Sequence, residues 1–219
     1  MRERPLNAFL TQALREASLR PAVDGAGLDA VAGVAPNATL DELAAAAAAG
    51  DIDAVGRLYD QLVDPIYRYV VVRVRRREDA EDLTQLVFER IVASLPRYRP
   101  RGRPFEAWVF RIARNAVIDH VRRSRAHEPL PDEAESHDEA LDAITVRGED
   151  IRELRQAISS LTADQQEALA LRFAAGLSAE EAARVMGRQA GTVRGLTFRA
   201  IGALRRRLGS DEARAEDDR

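Results

Sequence analysis

The stretch from Gly176 to Leu208 restricts the fold more than any other part of the chain, because three local rules meet in it. Ser178 with Glu181 three residues later is a capping box, in which each side chain accepts from the other's backbone N–H. A helix is therefore expected to begin at Ser178 and to bury Ala182, Val185 and Met186. Gly187 then permits the left-handed backbone that ends a helix and turns the chain. A second helix follows, with Val193, Leu196, Ala200 and Leu204 on one side and Arg194, Phe198 and Arg205 on the other, flanked by Arg199 and Arg206. Two helices across a glycine turn make a helix-turn-helix. From Arg184 to Leu208 there are seven arginines and no acid, the charge a helix needs among the phosphates and guanine edges of a major groove. A hairpin with a solvated basic face would carry the same caps, so the charge pattern is what favours DNA.

Whole-chain charge conceals this pattern. The net charge is −3 over 219 residues, yet Arg97 to Arg125 holds nine arginines against Glu106 and Asp119, while Glu128 to Asp150 holds nine acids against Arg147. All 33 basic residues are arginine, which biased codon usage explains, so placement carries more information than number. The length allows one sizeable core or two small ones, and the segregation favours two. Without cysteine there are no disulfides, thiolate metal sites or cysteine nucleophiles. His120, His127 and His137 lack ligand-like spacing, and neither metal nor cofactor is expected. The N-terminus lacks the uninterrupted apolar run of a signal peptide, and no span reaches bilayer length, so a cytoplasmic location is expected.

Residues 1–38 offer an amphipathic pattern from Leu6 to Leu19 and then a loose Gly, Pro and Ala stretch. Thr39 with Glu42 makes another capping box, and Gly50 closes the alanine-rich helix that follows. Asp51 caps a longer helix with Ile52, Val55, Leu58, Tyr59, Leu62, Val63, Ile66, Tyr67 and Val70 towards the core. Tyr69 to Val74 is β-branched enough for a strand, but with no partner strand nearby it is read as helix. From Glu78 to Leu95 a core face of Ala80, Leu83, Val87, Ile91 and Leu95 opposes Glu81, Asp82, Gln85 and Glu89. Leu86 and Val92 beside those polar groups hint at a partner surface.

Pro96 to Pro104 cannot be continuous helix across three prolines and a glycine, and reads as a basic loop with one aromatic. Phe105 opens a helix to Arg123, with Phe105, Trp108, Val109, Ile112 and Ala116 on one side and Arg111, Arg114, Asn115 and Arg122 on another. Arginines that hold phosphates beside rings and amides that receive unstacked bases suit single-stranded nucleic acid; Trp108 fits that role and a core role equally. Ser124 to Asp150 reads as a flexible acidic linker. Helix resumes over Ile151 to Ser160. Thr162 with Gln165 caps the next helix, which buries Ala168, Leu169, Leu171 and Phe173, and the acidic tail from Ser210 is expected to be disordered.

Asp79-Ala-Glu-Asp-Leu-Thr-Gln-Leu-Val-Phe88, then Phe105-Glu-Ala-Trp-Val-Phe-Arg-Ile-Ala-Arg-Asn115, then the Leu161 to Leu208 pattern, in this order, resemble a sigma-70 family factor of the extracytoplasmic-function group. The resemblance implies an all-α, two-domain transcription-initiation subunit: a region 2-like domain over 39–124, an acidic linker over 125–150, a region 4-like helix-turn-helix domain over 151–209, and an acidic tail over 210–219, with 1–38 outside the pattern. It implies binding to the clamp helices and flap of core RNA polymerase and to promoter DNA, it admits an anti-sigma factor, and it implies no catalytic residue and no membrane insertion. Carried over by position, Asp82 and Gln85, with Glu81 and Glu89 beside them, would dock on polymerase. Tyr98, Arg99, Arg101 and Arg103 of the loop, with Trp108, Arg111 and Asn115 on the following helix, would meet the melted minus-ten element. Arg188, Thr192, Arg194, Phe198 and Arg199 would meet the minus-thirty-five element.

Leu86 stands where the family commonly has an acid, Gln189 where it often has a serine cap, and Gly195 where a polar residue is common. A free-standing helix-turn-helix regulator, with the N-terminal helices as a dimerisation or sensing module, is the alternative reading. It leaves the arginine loop and the Asp82 face unexplained. A helical nucleic-acid enzyme would need a paired-carboxylate metal site or an obvious nucleophile, and neither is evident.

Overall fold

The computed structural model describes residues 38–74, 76–100, 102–127, 154 and 156–217, without the side chains of 125–127 and 209–217. These residues fall into two compact units, 38–127 and 154–217. Among the described residues all regular structure is helical, as the capped, 3.6-periodic segments require.

In the first unit Thr39 caps α1 (Leu40–Ala48): its hydroxyl accepts from the Glu42 N–H at 3.3 Å while the Glu42 carboxylate accepts from the Thr39 N–H at 2.8 Å. The bonds that the Glu42 carboxylate accepts from the Thr39 N–H and hydroxyl hold it below its ordinary range. Gly50, at φ +100°, makes the turn, and Asp51 Oδ1 accepts from the Ala54 N–H at 3.1 Å to start α2 (Ile52–Val71). Helix thus covers Tyr69–Val71, the first half of the segment that also read as strand, and a turn follows at Val72 and Arg73. Leu58, Leu62, Val63, Ile66, Tyr67 and Val70 are buried as expected, but Ile52 and Tyr59 are not, at 83% and 42% exposure. Ile52 stands two residues before the buried Ala54, about 200° round the helix. Tyr59 lies against the ring of Phe88 instead, with centroids 4.6 Å apart.

The third helix, α3 (Arg77–Ser94), buries Ala80, Leu83, Val87 and Ile91 and passes into a 3-10 turn, Leu95–Arg97, that the prolines alone did not suggest. The fourth, α4 (Phe105–His127), packs on α2 through Phe110, whose ring meets the fully buried Tyr69 edge-on at 5.8 Å. It has a cap from a distance: the Phe105 N–H donates to Asp41 Oδ1 of α1 at 2.7 Å, across 64 positions. Asp41→Ala should therefore cost about 1 kcal/mol, the usual loss for an N-terminal cap. Urea unfolding of the full chain, compared at equal m, checks this. The helix also runs past the expected linker start at 125, because nothing between Arg122 and His127 breaks it and arginines suit a helix C-terminus. The rest of the linker and residues 1–37 of the N-terminal extension lie outside the described residues.

The second unit is helical at Leu154 and over residues 156–159. Thr162 and Gln165 form their capping box at the start of α5 (Ala163–Leu169), which passes into a π-helical turn, Ala170–Ala174. Then come α6 (Ala179–Met186) and α7 (Ala190–Asp217). Leu154, Ala157, Leu161, Leu169, Ala200 and Leu204 form one buried cluster, against which Phe173 is half-buried. The tail expectation fails as far as Asp217: α7 continues through it, since Ser210 to Glu216 has no proline and is rich in Ala, Glu and Arg.

Candidate nucleic-acid interface

The helix-turn-helix is built by its caps. The Glu181 N–H donates to Ser178 Oγ at 3.1 Å and the Ser178 N–H donates to Glu181 Oε2 at 2.7 Å. Burial pushes the Glu181 carboxyl up, but these bonds to Ser178, with Arg184 and Arg172 nearby, outweigh it and hold the group below its ordinary range. Gly187 takes φ +66° at the turn, a conformation that strains any residue with a Cβ. Ala182, Val185 and Met186 then bury one face of α6, and Val193, Leu196, Ala200 and Leu204 bury one face of α7.

Opposite that seam Thr192, Arg194, Phe198 and Arg199 are all exposed, as is Arg188 just before the helix. Phe198 is 80% exposed, so it contributes nothing to the core. Hydrophobic burial cannot explain a phenylalanine there. The Gln189 carbonyl accepts from the Val193 N–H at 3.2 Å, so α7 begins at this position without a serine. A Cβ built at Gly195 would lie 3.6 Å from Arg199 Nη1. Arg199 thus lies over the bare backbone that Gly195 leaves, and a side chain there would meet only ordinary contact.

Two of these arginines have partners that sequence periodicity does not disclose. Arg194 Nη2 donates to Glu180 Oε1 of α6, and Arg188 Nη2 lies 3.1 Å from Asp164 Oδ2 of α5. Their separations, 14 and 24 residues, match no helical spacing. As first-turn acids, Glu180 and Asp164 would ordinarily be read as complements to the helix dipole.

The first unit carries two surfaces. On α3, Glu81, Asp82, Gln85 and Glu89 are exposed, Leu86 is half-buried and Val92 is exposed, while Leu83, Val87 and Ile91 point inward. Arg77 Nε bonds Glu81 Oε1 at 2.9 Å, and Gln85 Nε2 donates to Glu89 Oε1 at 3.1 Å. The result is an ordered, mainly acidic face with an apolar edge.

The loop before α4 differs from its reading in one respect. Tyr98, expected to offer its ring to a base, is only 7% exposed. The 3-10 turn brings the Tyr98 N–H to the Leu95 carbonyl at 2.9 Å and directs the ring inward, against Phe105 at 5.0 Å and Trp108 at 5.1 Å. Burial, then the nearby Asp41 charge, pushes the phenol's pKa up, and its hydroxyl has no hydrogen-bond partner among the described residues. Trp108 is half-buried and stacked on Phe105 at 5.3 Å, so it is part of the core and part of the surface together. Arg111 and Asn115 follow it at helical spacing and are exposed. Arg103 is exposed; Arg99 is exposed too, its Nη1 bonding the Pro96 and Tyr98 carbonyls at 3.1 and 2.8 Å. Arg101 lies outside the described residues.

Comparison with known proteins gives two domain matches, Sigma-70 region 2 over residues 58–127 and Sigma-70, region 4 over residues 151–204. The chain is 38% identical to the ECF RNA polymerase sigma factor BldN of Streptomyces coelicolor over 184 residues, covering 80% of this chain and 68% of that one. It is 36% identical to the ECF RNA polymerase sigma factor SigD of Mycobacterium tuberculosis over 175 residues, covering 76% of this chain and 82% of that one. Among solved structures, CnrH in complex with the cytosolic domain of CnrY matches with a TM-score of 0.60 and 26% identity, covering 77% of this chain and 96% of that one.

Proposed function

The chain belongs to the extracytoplasmic-function group of the sigma-70 family, and on that premise we propose how its named surfaces divide the work of an RNA polymerase sigma factor. Such a subunit brings core RNA polymerase to specific promoters, and the proposal assigns three contacts to this chain. Glu81, Asp82, Gln85 and Glu89 on α3 dock on the clamp helices, with Leu86 and Val92 as the apolar margin. Arg99, Arg101 and Arg103, with Trp108, Arg111 and Asn115 on α4, hold the melted minus-ten element by phosphate contacts and stacking. Arg188, Thr192, Arg194, Phe198 and Arg199 read the minus-thirty-five element, where arginine suits guanine O6 and N7 and phenylalanine suits a thymine methyl.

The observation that carries this reading is a pairing within one chain. An exposed acidic face on α3 accompanies an outward Arg and Phe face on α7. A free-standing regulator uses the second and leaves the first idle. The chemistry of RNA synthesis belongs to the core enzyme in this scheme, and the chain works in the cytoplasm; among the described residues no helix is long and apolar enough to cross a membrane. A protein domain that covers these surfaces would act as an anti-sigma factor; CnrH, which this chain resembles in structure, is itself found in complex with the cytosolic domain of CnrY.

The test pairs co-purification with core polymerase and a gel shift using the chain alone and with core. Association with core, and specific duplex binding only in its presence, is the expected result. Specific, tight duplex binding by the chain alone, with no association to its cognate core, would overturn the proposal.

A further inference from the structure

The ion pair between Arg194 and Glu180 joins the outward face of α7 to the first turn of α6. Both side chains are more than half exposed, and exposed pairs contribute little to folding. The helix dipole favours an acid at this first-turn position, but it does not require that acid to pair with an arginine on the outward face of α7. Its position instead matters for what Arg194 can do. A guanidinium carries five N–H donors in a fixed fork, and Glu180 Oε1 takes one of them at Nη2. The remaining donors suffice for the two parallel bonds of a guanine contact.

We infer that Glu180 is a positioning residue that makes Arg194 selective for guanine, by holding its guanidinium fork and by repelling any backbone phosphate that would take the place of the base. The inference rests on the assignment of α7 to the upstream promoter element. A freed arginine sweeps a wide arc and binds phosphates of any sequence; a held one binds well only where a base edge meets its remaining donors. Glu180 thus lowers affinity for DNA in general while sharpening the preference at one base pair. Asp164 supplies the comparison: it holds Arg188, which precedes α7, and removing it should change affinity without changing that base preference.

The experiment uses holoenzyme reconstituted from core and the full chain, and a duplex library randomised over the upstream element, with bound and free fractions sequenced. Parent holoenzyme should enrich guanine at one position, and Arg194→Ala should erase that enrichment. Glu180→Gln should reduce it about tenfold, chiefly by retaining more non-guanine sequences, and Glu180→Asp should keep most of it. In the Arg194→Ala background Glu180→Gln should change nothing at that position. The inference is overturned if Glu180→Gln leaves the enrichment within twofold of the parent, or if Asp164→Asn flattens the same position equally. If Arg194→Ala leaves the enrichment intact, the assignment of Arg194 to base reading fails as well. Loss with Arg194→Ala but not with Glu180→Gln overturns the role of Glu180 alone.

Discussion

Asp82→Arg combined with Gln85→Ala should abolish association with core polymerase while the first unit stays folded. Both side chains are exposed on α3, on the side away from the buried Leu83, Val87 and Ile91, so the change removes no core packing. Exposed substitutions of this kind shift folding by about 0.5 kcal/mol or less. At a desolvated interface with a basic partner the outcome is different. A charge-assisted contact is lost and a like charge is introduced, a penalty on the order of 2–5 kcal/mol. Gln85→Ala also removes the amide that donates to Glu89, which loosens the neighbouring carboxylate. Co-purification should fall from complete to undetectable at micromolar concentrations, with helical content and urea midpoint unchanged. Undiminished binding to core would mean that this face is solvated surface and that docking occurs elsewhere.

The parts of the molecule legible in the sequence are those governed by neighbours along the chain. The capping boxes at Thr39, Thr162 and Ser178, and the left-handed Gly187, each follow from residues three or four positions apart. The inward faces of α3 and α7 follow from helical period. Contacts set by tertiary packing were not legible. The Asp41 cap on Phe105 spans 64 positions, and the Arg194 to Glu180 pair joins two helices across a turn. Tyr98 shows the limit most plainly: loop composition marked it as a surface ring, whereas the 3-10 turn and the waiting faces of Phe105 and Trp108 draw it inside. Ile52 fails in the opposite direction, because an apolar residue at the first position of a helix fits a stripe on paper while facing solvent.

Replacing Arg97, Arg99, Arg101 and Arg103 together by serine should leave polymerase binding intact and prevent strand opening on a duplex promoter. The inward position of Tyr98 decides the choice of variant. Deleting the loop would remove a buried ring and leave Phe105 and Trp108 uncovered, so that loss of folding and loss of function could not be separated. Serine at the four arginines keeps the ring cluster while removing the charges proposed to hold the melted strand, together with the bonds from Arg99 to the Pro96 and Tyr98 carbonyls. Opening a duplex costs a few kcal/mol for each extruded base, and captured bases and phosphates are what offset it. With the arginines gone that offset falls away and the closed complex should persist. A template with a premelted bubble needs no such offset, so transcription from it should recover substantially. Permanganate reactivity of unpaired thymines reports the difference directly: present for parent holoenzyme on duplex promoter, and absent for the four-serine variant. Normal reactivity in the variant would show that the loop's charge plays no part in melting, and would leave Trp108, Arg111 and Asn115 as the residues to test next.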